Sequence, residues 1–135
     1  MAYLIDTSIL SELRKVSCDA KVTDWMMSID PEQAFVSVLT IGEIRMGIEG
    51  RRKNSPRAVA PLERWLLELE TNYSDRILTI TADVADRWGR ISPGRPIPMA
   101  AGLIAATAIA HKLVIVTDNP TAFQGSGAKT FDPFA

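Results

Sequence analysis

Residues 3–14 read Tyr3-Leu4-Ile5-Asp6-Thr7-Ser8-Ile9-Leu10-Ser11-Glu12-Leu13-Arg14, and this stretch decides the fold. Tyr3-Leu4-Ile5 is a short apolar run that stops at an acid. Thr7-Ser8 then open a helical pattern with Ile9, Leu10 and Leu13 on one face, so a buried strand turns straight into a helix. The same grammar repeats outward. A helix is expected over Asp19 to Met27, with Val22, Trp25 and Met26 as its apolar stripe. A second strand is expected at Ala34-Phe35-Val36-Ser37-Val38, followed by a helix capped by Ser37 or Thr40 and running through Glu43 to about Glu49.

Arg51 to Arg57 reads as a polar hinge, and Ala58 to Thr71 as a long helix with Leu62, Trp65, Leu66 and Leu69 facing inward. Arg76 to Ile80 is the expected third strand, and Thr81 caps a helix through Ala85 and Trp88. Ser92 to Pro98 holds three of the eight prolines and reads as a loop. Met99 to His111 is a small-residue helix, Leu113 to Thr117 a fourth strand, and Lys129 to Phe131 one more short strand. Strands alternating with helices imply one α/β domain over residues 1–135. Its central sheet is mostly parallel, of four to five strands, and flanked by helices.

Composition narrows the function classes. At 135 residues, with 47% hydrophobic and 23% charged residues, the chain can bury a core without covalent staples. Cys18 is the single cysteine, which excludes an internal disulfide and a multi-cysteine zinc site and suits a reducing compartment. The opening MAYLIDTS lacks a basic stretch before a long apolar run, and no window reaches the ~20 apolar residues of a membrane span. A cytoplasmic protein with no membrane partner is expected. The net charge of −1 gives no global attraction to nucleic acid, so any phosphate binding must come from local cations or a metal.

In open α/β sheets ligands bind beyond the carboxyl ends of the strands. Asp6 follows the first strand, Asp118-Asn119 follow the fourth, and Glu43 stands on the helix leaving the second. Acids converging on one edge form a hard oxygen site suited to magnesium or manganese. Taken singly each has a plainer reading: Asp6 as a helix cap, Glu43 as a solvated residue, Asp118-Asn119-Pro120 as a turn. His111 is the only histidine and sits at a helix end, where the helix dipole favours it. No phosphate-binding glycine loop is present. The cluster Arg51-Arg52-Lys53 with Arg57, and Arg14-Lys15, could track a phosphate backbone or simply complement helix ends.

These segments together resemble a known family. Residues 3–14 look like the opening of PIN-domain toxins of the VapC and FitB-like group, and Ser37 to Ile48 resemble their second motif. Arg76-Ile77-Leu78 followed by Trp88-Gly89-Arg90 is similar to their middle segment. Pro98 to Ala108 looks like the third motif, and Val116-Thr117-Asp118-Asn119 with Phe123 the fourth. The resemblance implies a PIN-like fold and a metal-dependent endoribonuclease that hydrolyses RNA phosphodiester bonds with Mg2+ or Mn2+. Asp6 would be the principal ligand, with Glu43 and Asn119 as further ligands, Thr7 or Ser8 orienting Asp6, and Asp118 assisting. Arg14, Arg45, Arg51 and Arg52 would be available to RNA or to a protein partner. The partners implied are a small cognate antitoxin, RNA as substrate, a second copy of the chain in a homodimer, and operator DNA reached only through the antitoxin.

One position departs from the pattern: where the family carries a metal-facing aspartate, this chain has Ala101. The expectation is weakened metal binding and impaired catalysis. The alternatives are a non-catalytic PIN-like module that binds an antitoxin or RNA, and a phosphoryl-transfer α/β enzyme with Asp6 as nucleophile. The latter chemistry wants a second aspartate two residues on, where Ser8 stands.

Overall fold

A computed structural model describes residues 1–91 and 96–135; of the loop expected over Ser92–Pro98, residues 92–95 lie outside the described residues. The chain runs β1 (Tyr3–Ile5), α1 (Thr7–Arg14), α2 (Ala20–Ser28), β2 (Ala34–Ser37), α3 (Val38–Arg51), α4 (Val59–Asn72), β3 (Ile77–Leu78), α5 (Ala82–Ile91), α6 (Met99–His111), β4 (Val114–Val116) and β5 (Thr130–Phe131). Short 3-10 turns lead into β2 and α4 and follow β4. The strands form one sheet in the order β3-β2-β1-β4-β5, parallel throughout.

Alternate strand residues face opposite sides, and both sides are covered, as a parallel sheet requires. Ile5, Val36 and Val116 pack with Ile9, Leu10, Val22, Ile44, Ile48, Leu62 and Leu66 from α1 to α4. Leu4 and Ile115 pack with Ile104, Ala105, Ala108 and Phe123. The small residues of α6 let it lie close to the sheet. On its other side α6 meets α5, where a Cβ on Gly102 would fall 2.9 Å from Cδ1 and Nε1 of Trp88. Glycine at 102 is what permits this approach.

Several boundaries differ from the sequence reading by a residue or more, and the largest differences have local reasons. β3 is two residues long instead of five because its only partner, β2, ends where Ser37 turns to cap α3, with Ser37 Oγ accepting from Leu39 N at 3.0 Å. β4 keeps only Val114–Val116 of the expected five, and these are the residues that pair with three-residue β1. α3 continues to Arg51, one residue into the expected hinge. Of the described tryptophans, Trp25 and Trp65 are half-buried against the first core, and Trp25 meets Tyr3 edge to face at 5.0 Å.

Candidate active site

The strand order reverses direction between β1 and β4, and that switch opens the crevice where α/β sheets bind ligands. The backbone N–H of Asp6 donates to the Val116 carbonyl at 2.9 Å, stitching the carboxyl ends of these strands together. Asp6 is also the N-cap of α1. Its Oδ1 accepts from Thr7 N at 2.9 Å and its Oδ2 accepts from the Thr117 hydroxyl at 2.8 Å. Each carboxylate oxygen thus keeps lone-pair capacity for a further partner.

Burial pushes the Asp6 carboxyl above its ordinary pKa. The hydrogen bonds from Thr117 and Thr7 pull the other way, and the negative field of Asp118 adds to the rise. A desolvated carboxylate in a crevice is the kind of group that a cation would stabilise.

Glu43 reaches the same place from α3. The Thr7 hydroxyl donates to Glu43 Oε1 at 2.8 Å and is hydrogen-bonded to the buried Thr40 hydroxyl at 3.2 Å. Thr7 is therefore a hub: its backbone holds Asp6 and its side chain holds Glu43. Thr117 plays the matching part on β4, giving its proton to Asp6 and accepting from Asn119 N at 3.1 Å. The side-chain oxygen of Asn119 accepts from the Thr121 hydroxyl at 2.7 Å, while Asp118 is the charged neighbour whose field reaches Asp6. Ser8 Oγ is buried and has no hydrogen-bond partner among the described residues.

Ala101 lies in the first turn of α6, half-buried against the core that contains Leu4 and Ile104. α6 ends at His111, just before β4 begins, so it runs antiparallel to the strands. Its first residues stand at the carboxyl edge of the sheet, the edge that carries Asp6. Among the described residues no group of three or more His, Cys, Asp or Glu side chains is gathered to hold a metal ion. The donors fit a divalent cation in kind, being hard oxygens, but are one acid short in number.

The four arginines singled out by sequence separate into two pairs. Arg45 and Arg52 both bind Glu63, at 3.0 and 2.8 Å, and Arg52 also grips Glu49 at 2.7 Å. Arg51 instead lines a cleft of about 150 Å³ with Thr7, Ser11, Glu43, Gly47 and Trp65. The Arg14 guanidinium lies over the Trp65 ring, 5.6 Å from its centroid. Sequence reading missed Thr40 and Thr117 as site residues. Their only signal is a hydroxyl at the end of a strand or the start of a helix beside an acid. The Trp65 ring, expected to be core, is shared between the core and this cleft.

The chain matches the PIN domain family over residues 3–124. It is 30% identical to Toxin FitB of Neisseria gonorrhoeae, covering 97% of both chains. It is 26% identical to VapC ribonuclease Y4jK of Sinorhizobium fredii, covering 97% of this chain and 96% of that one. The solved structure of FitAB bound to an IR36 DNA fragment is similar with a TM-score of 0.83 at 27% identity, over 98% of this chain and 96% of the other. No helix among the described residues is long and apolar enough to cross a membrane. Sequence and fold agree, and the chain belongs to the PIN-domain family as a VapC- and FitB-like toxin.

Proposed function

We propose that this chain is built as a metal-dependent endoribonuclease toxin whose catalysis is impaired by Ala101. The observation that carries the reading is the half-buried Asp6 carboxylate, wired through Thr7 to Glu43 and through Thr117 to β4 at the switch point of the sheet. Kinship to proteins named toxin and VapC ribonuclease supports the substrate class. Asp6 and Glu43 would hold Mg2+ or Mn2+, with Asn119 or Asp118 on the β4 side. Such an ion lowers the pKa of a bound water and stabilises charge on the leaving oxygen.

The chain's own residues set the geometry. Thr7 and Thr117 fix both oxygens of Asp6, so the carboxylate is ordered before anything binds. The Thr7–Thr40 pair holds Glu43 at a set height on the first turns of α3. A cognate antitoxin as partner, operator DNA reached through it, assembly as a homodimer and a cytoplasmic location complete the proposal. The FitAB structure on DNA supports the antitoxin part.

The test compares the chain with Ala101→Asp, first by thermal melting with and without Mg2+ or Mn2+, then on a mixed RNA pool. The restored acid is expected to make the melting temperature metal-dependent, by about 1.4 kcal/mol of stability at tenfold excess over Kd. It should also bring chelator-sensitive RNA cleavage absent from the parent. A non-catalytic binding module is the second reading, favoured by the missing third acid. Metal binding by Ala101→Asp without cleavage would move the conclusion to it.

A further inference from the structure

The cleft that begins at Glu43 does not end there. Along α3 it follows one helix face, Glu43, Gly47 and Arg51 at four-residue steps. Trp65 also lines a larger groove of about 450 Å³ between α1 and α4, which contains Arg14, Arg64, Glu68, Asn72 and Tyr73. Three features distinguish this path from an ordinary seam between helices. Gly47 leaves its floor bare, since a Cβ there would meet nothing within 4 Å. Arg14, Arg51 and Arg64 form no ion pair among the described residues, whereas Arg45 and Arg52, also on the α3 side, are neutralised by Glu49 and Glu63. The Arg14 guanidinium carbon lies over the Trp65 ring, 5.6 Å from its centroid, which sets a cation beside a half-buried aromatic ring of the kind on which unpaired bases stack.

We infer that single-stranded RNA reaches the Asp6–Glu43 centre along this cleft, with Arg51 and Arg14 holding backbone phosphates and the Trp65–Arg14 pair stacking a base. The inference rests on the ribonuclease reading and deepens it. It also accounts for RNA binding by a chain of net charge −1: Glu49 and Glu63 pair the cations off the path, while Arg14, Arg51 and Arg64 on it, beside Glu43 and Glu68, form no ion pair among the described residues.

The test uses the chain as it stands and a labelled, unstructured RNA of about twelve nucleotides, followed by anisotropy in the presence of a chelator. Arg51→Ala and Arg14→Ala should each weaken binding about tenfold, the size of one charge-assisted hydrogen bond. Each should lower the slope of log affinity against log salt by about 0.7. Arg52→Ala, whose charge is already matched, should change affinity less than about twofold. Gly47→Leu should fill the cleft and weaken RNA binding while raising the melting temperature, so misfolding cannot account for the loss. RNA should quench tryptophan fluorescence in the parent and much less in Trp65→Phe. Parent-like affinity in Arg51→Ala and Gly47→Leu would overturn the inference and leave the cleft to a protein partner. Absence of any RNA binding by the parent would instead overturn the ribonuclease reading beneath it.

Discussion

The contact between Gly102 and Trp88 gives a stability prediction with an internal control. Gly102→Ala adds one methyl whose carbon would lie 2.9 Å from two atoms of the indole. Carbon contacts settle at about 3.5–4.0 Å, so the indole or the helix must retreat by roughly 0.6 Å or more. Both sides are constrained, because Gly102 is buried in α6 and Trp88 is half-buried on α5. Overpacking of this kind costs about 1–3 kcal/mol. Against it stands a gain of about 0.5–1 kcal/mol from replacing glycine inside a helix. A net loss of about 1–2 kcal/mol is expected, or several degrees in melting temperature for a domain of this size. Gly47→Ala takes the same helical gain with no neighbour within 4 Å and should stabilise by about 0.5–1 kcal/mol. The difference between the two substitutions therefore isolates the contact at about 1–3 kcal/mol. Urea unfolding followed by circular dichroism would measure both, and Trp88→Leu would complete a double-mutant cycle. In that background Gly102→Ala should become as favourable as Gly47→Ala. If Gly102→Ala already stabilises the parent, or if Trp88→Leu leaves its effect unchanged, the α5–α6 argument fails.

Two further substitutions probe the site. Burial raises the folded-state pKa of Asp6 above its ordinary 3.8, so the folded chain binds that proton more tightly than the unfolded chain does. Its ionised form costs stability above the folded pKa, and the cost fades as pH falls through that value and vanishes below the unfolded one. Asp6→Asn should therefore melt higher than the parent at pH 7, with the gap closing on acidification; a gap independent of pH would contradict the burial argument. Ser8 Oγ, buried with no partner among the described residues, should be dispensable. Ser8→Ala is expected to be neutral or stabilising by up to about 1 kcal/mol, and a clear drop in melting temperature would mean that the hydroxyl is paired.

Much of the fold was legible because apolar runs and caps coincide. The helix Met99–His111 is legible at both ends, its small and apolar residues bounded by Pro98 and by Lys112, which takes the left-handed conformation with φ 57°. The strand lengths were less legible. Arg76 to Ile80 has a strand-like composition throughout, but a strand lasts only as long as its partner. β2 is cut at Ser37 by the needs of α3, forty residues earlier in the chain. Pairing of that kind is tertiary information that no local pattern contains.

The candidate site divides along the same line. Asp6, Glu43 and Asp118-Asn119 were legible because each follows the apolar run that carries it to the sheet edge. By sequence Thr117 is a strand residue, since threonine favours strands for its shape, yet its hydroxyl is one of the two groups that fix Asp6. The arginines look alike in sequence, and it is their pairing with Glu49 and with Glu63, arriving from α4, that separates Arg45 and Arg52 from Arg14 and Arg51. Ala101 then gains a physical meaning beyond a missing ligand. An aspartate there would bring a further negative charge to an edge where Asp6 is already disfavoured by burial and by Asp118. Without a cation, that charge would lower stability, whereas alanine extends the apolar layer formed with Leu4 and Ile104. The parent chain should accordingly be the more stable form when metal is chelated, and Ala101→Asp should recover only as metal is added. The same substitution that weakens the proposed catalysis relaxes the fold, which is the trade expected where a protein concentrates like charges to bind an ion.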